Sequence, residues 1–277
     1  MTTWTLSGFG DEIDPEPAVQ LAVLSALGAR HIEVRSAWGT NVVELSDTQL
    51  DGLAEAVSAR GMAVSAIASP VGKVDVTTDD GGELDRLRAA VAAAHRLSSR
   101  YIRIFSFYRP AGVAPADIRD AVLARMRAFA GLAEDSGVVL LHENEKDIYG
   151  DVPQRVADII ESVDSPALRV AWDNANFVQV GVRPYDDGYE LLRPHLEYLQ
   201  VKDALMATAE VVPAGHGDGQ LLRTLTALRD DGYAGFASLE PHLANQHHLG
   251  GFSGPAEFGR AARAFTNLTA SIGVHLQ

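Results

Sequence analysis

The chain reads as a single (β/α)8 barrel covering residues 1–277, and three observations predict it. Eight short apolar or β-branched runs alternate with longer segments of helical spacing. The length of 277 residues suits one α/β barrel, a fold of about 250 residues. The long loops follow strands, not helices, which in a barrel puts them all on one rim. A doubly wound open sheet is the other arrangement, but it uses fewer strands and carries a glycine fingerprint after the first.

In chain order, the run Trp4–Gly8 is followed by the helical stretch Pro17–Leu27, and His31–Val34 by Asp47–Arg60. Ser46-Asp47-Thr48 is a helix start, and Gly61 follows the end of the same helix. Ala63–Ala68 leads to Leu84–Leu97, and Tyr101–Phe105 to Ala116–Asp135, which Gly137 ends. Val138–Leu141 leads to Pro153–Ser162, after which come Leu168–Ala171 and Leu196–Val201. Leu221–Asp230 is ended by Gly232, and Gly235–Leu239 precedes the last helix, Pro255–Ile272. Strands apolar on both faces between helices read as βαβ units around a parallel sheet. No linker rich in Pro, Gly or Ser, no low-complexity tract and no long charge block divides the chain, so one domain is expected.

Hydrophobic residues make up 47% and charged residues 22%, the balance of a soluble globular protein. A formal charge of −14 argues against nucleic acid as a partner, because phosphate-backbone contacts need clustered Lys and Arg. It leaves room for a small anionic substrate held by local cations. The absence of cysteine excludes a disulfide framework, a zinc ribbon and a thiol nucleophile. The start Met1-Thr-Thr-Trp-Thr-Leu-Ser-Gly lacks a basic n-region and an apolar h-region. No apolar stretch approaches the roughly 18 residues of a membrane span. A cytoplasmic protein with no membrane partner is therefore the expectation.

Four strand ends carry candidate metal ligands: Leu140-Leu141-His142-Glu143-Asn144-Glu145, Val170-Ala171-Trp172-Asp173-Asn174, Tyr198-Leu199-Gln200-Val201-Lys202-Asp203 and Ala237-Ser238-Leu239-Glu240-Pro241-His242. Buried carboxylates are costly unless paired, hydrogen-bonded or metal-bound. Glu143, Asp173 and Glu240 each follow an apolar run directly and would meet near the barrel axis. There they would drive one another's pKa values up unless a cation joined them. Magnesium, manganese and similar ions favour such oxygen-rich sites. The plainer reading of each acid is a helix cap or a partner for an arginine.

Glu145 shares the facing of Glu143 farther past the strand, where it acts behind the ligands or pairs with Lys146. The string His142-Glu-Asn-Glu-Lys146 is not a zinc-protease helix, since Lys146 stands where that motif needs its second histidine. Lys202 and Asp203 are read as a substrate-oxygen ligand and its positioner, or else as a rim salt bridge. The loop Gly215-His216-Gly217-Asp218-Gly219 offers backbone N–H groups to an anion and lets His216 bend inward. Across the mouth lie Asp11, Glu12, Glu33, Arg35, Lys73 and Arg109. Glu33 and Arg35 share a facing that allows a buried pair or a substrate clamp, and Trp38, Phe107 and Tyr108 suggest an apolar wall. A packed rim accounts for all of these equally well.

Taken together, Gly8-Phe-Gly-Asp-Glu-Ile, Ile32-Glu-Val-Arg, Ser69-Pro-Val-Gly-Lys, His142-Glu-Asn-Glu-Lys-Asp-Ile-Tyr-Gly-Asp, Trp172-Asp-Asn-Ala-Asn-Phe, Val201-Lys-Asp-Ala, Val212-Pro-Ala-Gly and Leu239-Glu-Pro-His resemble the sugar phosphate isomerase/epimerase families with a xylose-isomerase-like barrel. That group also includes endonuclease IV, inosose dehydratase and hydroxypyruvate isomerase. The resemblance implies one divalent metal ion, Mn²⁺ or Mg²⁺, held by Glu, Asp, His and Glu from strands five to eight. By position these become Glu143, Asp173, Gln200 and Glu240, so Gln200 departs from the pattern. Its neutral amide oxygen is a weaker ligand than imidazole for transition metals. The resemblance further implies that Glu143 and Glu240 exchange a substrate proton, and that Asn176 contacts substrate.

The expected function is isomerisation or epimerisation of a small polyhydroxy carbonyl compound through an enediolate, with Arg35, Asn176, Lys202 and His216 binding substrate. An inosose dehydratase-like lyase would share the proton abstraction. A degenerate barrel that binds a sugar without turnover is the reading Gln200 invites. A DNA-repair endonuclease needs a histidine-rich zinc site and a basic surface, neither of which the strand ends or the net charge provide. Relatives in these families form dimers or tetramers, so a homo-oligomer is also expected.

Overall fold

The computed structural model describes residues 2–78, 80–244 and 250–277. Its eight parallel strands are β1 (Thr2–Gly8), β2 (His31–Val34), β3 (Ala63–Ala68), β4 (Tyr101–Ile104), β5 (Val139–Glu143), β6 (Leu168–Asp173), β7 (Leu196–Val201) and β8 (Phe236–Leu239). They are hydrogen-bonded in the order β2-β3-β4-β5-β6-β7-β8-β1. A parallel bridge between Phe9 and Glu33, just past the end of β1, joins the first strand to the second. The result is the closed (β/α)8 barrel that the sequence predicts. A ninth strand, β9 (Val274–Leu276), adds in parallel to the outer edge of β1.

The helices are α1 (Pro17–Ala26), α2 (Asp47–Ala59), α3 (Asp80–Arg96), α4 (Pro115–Ser136), α5 (Pro153–Val163), α6 (Asn174–Gln179), α7 (Pro184–Leu192), α8 (Leu221–Asp230) and α9 (Gly254–Ser271). At the start of α2 the Ser46 side chain accepts from Gln49 N while the Gln49 side chain accepts from Ser46 N, a capping box that satisfies two orphan donors. Gly137 closes α4 at φ 68, a left-handed conformation that glycine adopts at no steric cost. The sequence reading assigned no helix between β6 and β7, where α6 and α7 lie. With six residues, α6 is too short to show a hydrophobic period, and α7 begins at Pro184 in an acidic, tyrosine-bearing stretch.

Most of the core lies between barrel and helices, where Leu21, Leu53, Phe129, Ile160 and Phe265 are buried. Inside the barrel a smaller apolar cluster joins Ala66, Leu141, Ala171 and Tyr198, with Tyr101 and Phe236 packed against it. Side chains two apart on a strand share a face. Along β4 to β8, the residue two positions beyond each of Tyr101, Leu141, Ala171, Tyr198 and Phe236 is Arg103, Glu143, Asp173, Gln200 or Ser238. The barrel interior is therefore apolar below and polar above, and the polar layer faces the C-terminal rim.

Candidate active site

Glu143, Asp173 and Glu240 converge at that rim, each offering one oxygen within 4.8 Å of the others. All three are buried. Glu143 Oε2 accepts from the Arg103 guanidinium at 2.6 Å and Oε1 from the Asn176 amide at 2.9 Å. Asp173 Oδ1 accepts from the Asn176 backbone N–H at 2.9 Å and so caps α6. The helix-cap reading of Asp173 is thus correct, and the same residue keeps Oδ2 for the trio. Glu240 Oε2 accepts from Lys202 Nζ at 2.9 Å, and its Oε1 lies 3.4 Å from Arg35 Nη1 and 3.3 Å from His242 Nε2.

Lys202 Nζ also lies 3.0 Å from Asp173 Oδ2, so one buried ammonium serves two of the three acids. Burial raises the Asp173 carboxyl to about 7 against the pull of Lys202, with Glu143 and Glu240 adding to the rise. Burial likewise raises Glu143, although Arg103 opposes it. Glu240 goes the other way. Burial alone would raise it, but the Lys202 ammonium and His242 hold it well below the usual carboxylate range.

A cavity of about 970 Å³ opens above this layer, with Glu143, Glu240, Lys202 and Asn176 in its floor and Arg35 and Arg103 in its wall. Asp173 and Gln200, both fully buried, lie outside this lining. Lys73, Glu145 and Glu210 come from the three long loops after β3, β5 and β7 and reach the same cavity, as the sequence predicts for one rim. Arg35 does not pair with Glu33. It donates to Asp11 Oδ2 at 2.8 Å and to the Gly251 carbonyl at 2.8 Å. Glu145 pairs with Lys73 at 3.2 Å, not with the Lys146 side chain.

His216 is not brought to the cavity. It is exposed, and its glycine loop is turned onto the protein's own Asp203. The N–H groups of Gly215, Gly217 and Gly219 donate to the Asp203 carboxylate at 2.9, 3.0 and 2.9 Å. The anion that this loop binds is thus a side chain of the chain itself, which fixes the loop and removes Asp203 from any contact with Lys202 as a substrate positioner. Phe107 packs on Phe129 in the core and Arg109 donates to the Val113 carbonyl, so neither forms the wall. Tyr108 does line the cavity.

Three participants escaped the sequence reading. Arg103 was hidden inside an apolar strand run, where a lone charged residue on the inward facing was the available signal. Asn144 brackets the Asp173 backbone, donating to its carbonyl at 2.9 Å and accepting from its N–H at 3.0 Å. His242 sits between Glu12 and Glu240 with its Nε2 at 3.1 and 3.3 Å. Nothing short-range in the sequence marks either of the last two.

The donor set fits a hard divalent cation. Asp173 Oδ2 accepts no aligned hydrogen bond and is met by the Lys202 ammonium at 3.0 Å. Around the floor, Asp11, Glu12, Glu33, Glu143, Asp173 and Glu240 are buried against only three buried cations, Arg35, Arg103 and Lys202, among the described residues. The Gln200 amide fits best with its nitrogen donating to both Glu143 oxygens at 3.2 Å. The carboxylate oxygens of the trio are the ligands that magnesium and manganese take.

A family model described as a xylose isomerase-like TIM barrel matches residues 21–267. A 2-epi-5-epi-valiolone 7-phosphate 2-epimerase from an Actinoplanes species is 36% identical over 106 residues, 38% of this chain and 37% of the epimerase. The match thus spans little more than a third of that relative's length. Among solved structures, the IOLI protein with a bound zinc atom superposes with a TM-score of 0.79 at 16% identity, over 97% of this chain and 99% of the other. A D-tagatose 3-epimerase-like protein superposes at 0.77 with 15% identity, over 98% of each chain. At these identities the structural likeness speaks for the fold.

Proposed function

The chain belongs to the xylose isomerase-like TIM barrel family, and on that footing we propose that it is a metal-dependent isomerase or epimerase of a small sugar, keto sugar or sugar phosphate. The observation that carries the reading is the pairing of Glu143 and Glu240 in one cavity floor with Asp173 behind them, all within 4.8 Å. Epimerisation and isomerisation next to a carbonyl both need a group that removes a proton and a group that returns one. The proximity of two glutamates in one floor supports giving them these two roles. The partial match to a 2-epi-5-epi-valiolone 7-phosphate 2-epimerase supports the same chemistry.

Glu143, Asp173 and Glu240 would hold the metal ion, Mn²⁺ or Mg²⁺, and Gln200, with its nitrogen toward Glu143, does not serve as the expected fourth ligand. When bound, the metal supplies Lewis-acid polarisation of the substrate carbonyl. The chain's own groups do the rest. One of Glu143 and Glu240 takes the proton α to the carbonyl and the other returns it. Lys202 keeps Glu240 in place and presents N–H to a substrate oxygen at the floor. Asn176 fixes Glu143 and faces the cavity, while Arg35, anchored by Asp11, meets the far end of the substrate. His216 has no part, being outside the cavity.

The test is solvent-deuterium exchange. Keto sugars and inososes, free and phosphorylated, are incubated in D₂O with metal-loaded protein, and label at the carbon next to the carbonyl is followed by NMR. Exchange in at least one compound, lost in Glu240→Gln, is the expected result. Binding of a sugar with no exchange anywhere would instead identify a ligand-binding barrel.

A further inference from the structure

A phosphorylated substrate brings a charge of about −1.5 to −2 at pH 7 and three oxygens to be met. Proteins seat such a group with uncommitted Arg or Lys side chains, or with the N–H groups of a glycine turn before a helix. Both devices are present among the described residues, and both are engaged by the chain's own carboxylates.

The glycine turn ahead of α8 lies outside the cavity lining and closes on Asp203. In the lining, Arg103 is taken by Glu143 at 2.6 Å and Lys202 by Glu240 at 2.9 Å. Arg35 directs its three nitrogens at Asp11, Glu240 and the Gly251 carbonyl. Lys73 is the inner cation that the floor acids leave over, and Glu145 takes it at 3.2 Å. Its ammonium also lies over the Phe105 ring, 4.2 Å from the centroid. Lys146 is exposed at the mouth, and so are Asp147 and Glu210.

Among the described residues of the lining, five Lys and Arg face five Asp and Glu, with Asp11 and Asp173 directly behind them. A divalent ion in the floor would do no more than offset those last two. The same wall carries neutral partners, Asn41, Tyr108 and Gln179. Amides and phenols both give and accept hydrogen bonds, which suits hydroxyl groups.

We infer that the cavity takes an uncharged polyhydroxy carbonyl compound, and that Glu145, by pairing with Lys73 and facing the same space, is the residue that turns away its phosphorylated counterpart. This rests on the isomerase or epimerase reading of the floor and narrows its substrate class.

The experiment compares matched pairs, each keto sugar or inosose with its own phosphomonoester, by deuterium exchange at equal low concentration. Mg²⁺-loaded wild type, Glu145→Gln and Glu145→Gln/Lys73→Met are used, with thermal melts confirming that each is folded. Wild type should favour the free compound by about tenfold or more. Glu145→Gln releases Lys73 and should narrow that preference about tenfold. Adding Lys73→Met should restore it, because the gain comes from the freed ammonium. A wild-type preference for the phosphorylated member overturns the uncharged-substrate inference and leaves the isomerase reading standing. An unchanged ratio in Glu145→Gln overturns the role of Glu145. No exchange with any member of any pair takes down both readings together. Calorimetry with inorganic phosphate on metal-stripped protein gives a readout without turnover. Wild type should show no binding at millimolar phosphate and Glu145→Gln should bind it, whereas equal binding by the two would count against Glu145.

Discussion

Lys202 Nζ lies 2.9 Å from Glu240 Oε2 and contacts Asp173 on its other side, so a lysine ammonium occupies the space between two acids of the trio. Burying charges is tolerable only when partners compensate them. Lys202→Met leaves two carboxylates facing each other and should cost about 3–5 kcal/mol, the penalty of breaking a buried pair. Urea unfolding measures the loss. Added Mn²⁺ should raise the variant's stability more than it raises that of wild type, and an equal response would show that Lys202 and the ion do not share the trio.

Glu240→Gln keeps the shape of the floor and removes its proton-transfer group. Turnover should fall below detection, with the thermal midpoint within a few degrees of wild type. Normal turnover in a folded variant would sink the acid–base assignment.

Asn144→Ala strips the two hydrogen bonds that hold the Asp173 backbone at the end of β6. Each buried group left unsatisfied costs about 1–3 kcal/mol, so roughly 2–6 kcal/mol should be lost, along with most of the Mn²⁺ affinity. A variant that is destabilised yet binds Mn²⁺ normally would mean Asp173 is held in place by other contacts.

His142 is buried against Gly150, both ring nitrogens lack partners, and burial pushes its imidazole from 6.5 down to about 3. The unfolded chain takes up this proton below about 6.5, and the folded chain does not until pH nears 3. The stability is therefore present above pH 6.5 and is lost as pH falls from 6.5 toward 3, at up to about 1.4 kcal/mol per unit. His142→Leu removes that slope and sacrifices no hydrogen bond. The difference in unfolding free energy between pH 7.5 and pH 5 should shrink by about 2 kcal/mol relative to wild type. An unchanged difference would assign the acid sensitivity to the carboxylates alone.

The barrel was legible because its signals are local. Runs such as His31–Val34, Ala63–Ala68 and Leu196–Val201 are strands over those residues, since burial on both faces writes a continuous apolar string. The acid trio was legible for the same reason, each acid standing immediately after such a run. What stayed hidden depends on partners far apart in sequence. Arg103 meets Glu143 across two neighbouring strands, His242 meets Glu12 across the whole chain, and the glycine loop folds onto Asp203 instead of a ligand. The flexibility of Gly215 and Gly217 suggested that His216 could swing inward. Yet the N–H groups that make such loops bind anions had found a carboxylate nearer than any substrate.

The first strand has a place in time as well as in space. Thr5 is paired with Phe236 on one edge of β1 and Thr2 with Val274 on the other, while its backbone pairing toward β2 is the Phe9–Glu33 bridge just past its end. Strands β2 to β8 each find a neighbour within a few tens of residues, but the ladder of β1 must wait for chain made more than two hundred residues later. Loop closure over that span is costly and slow. Docking of β1 is therefore expected to be the late step of folding, with Phe9, Asp11 and Glu12, the residues that carry the wall behind Arg35, assembled only when the barrel shuts.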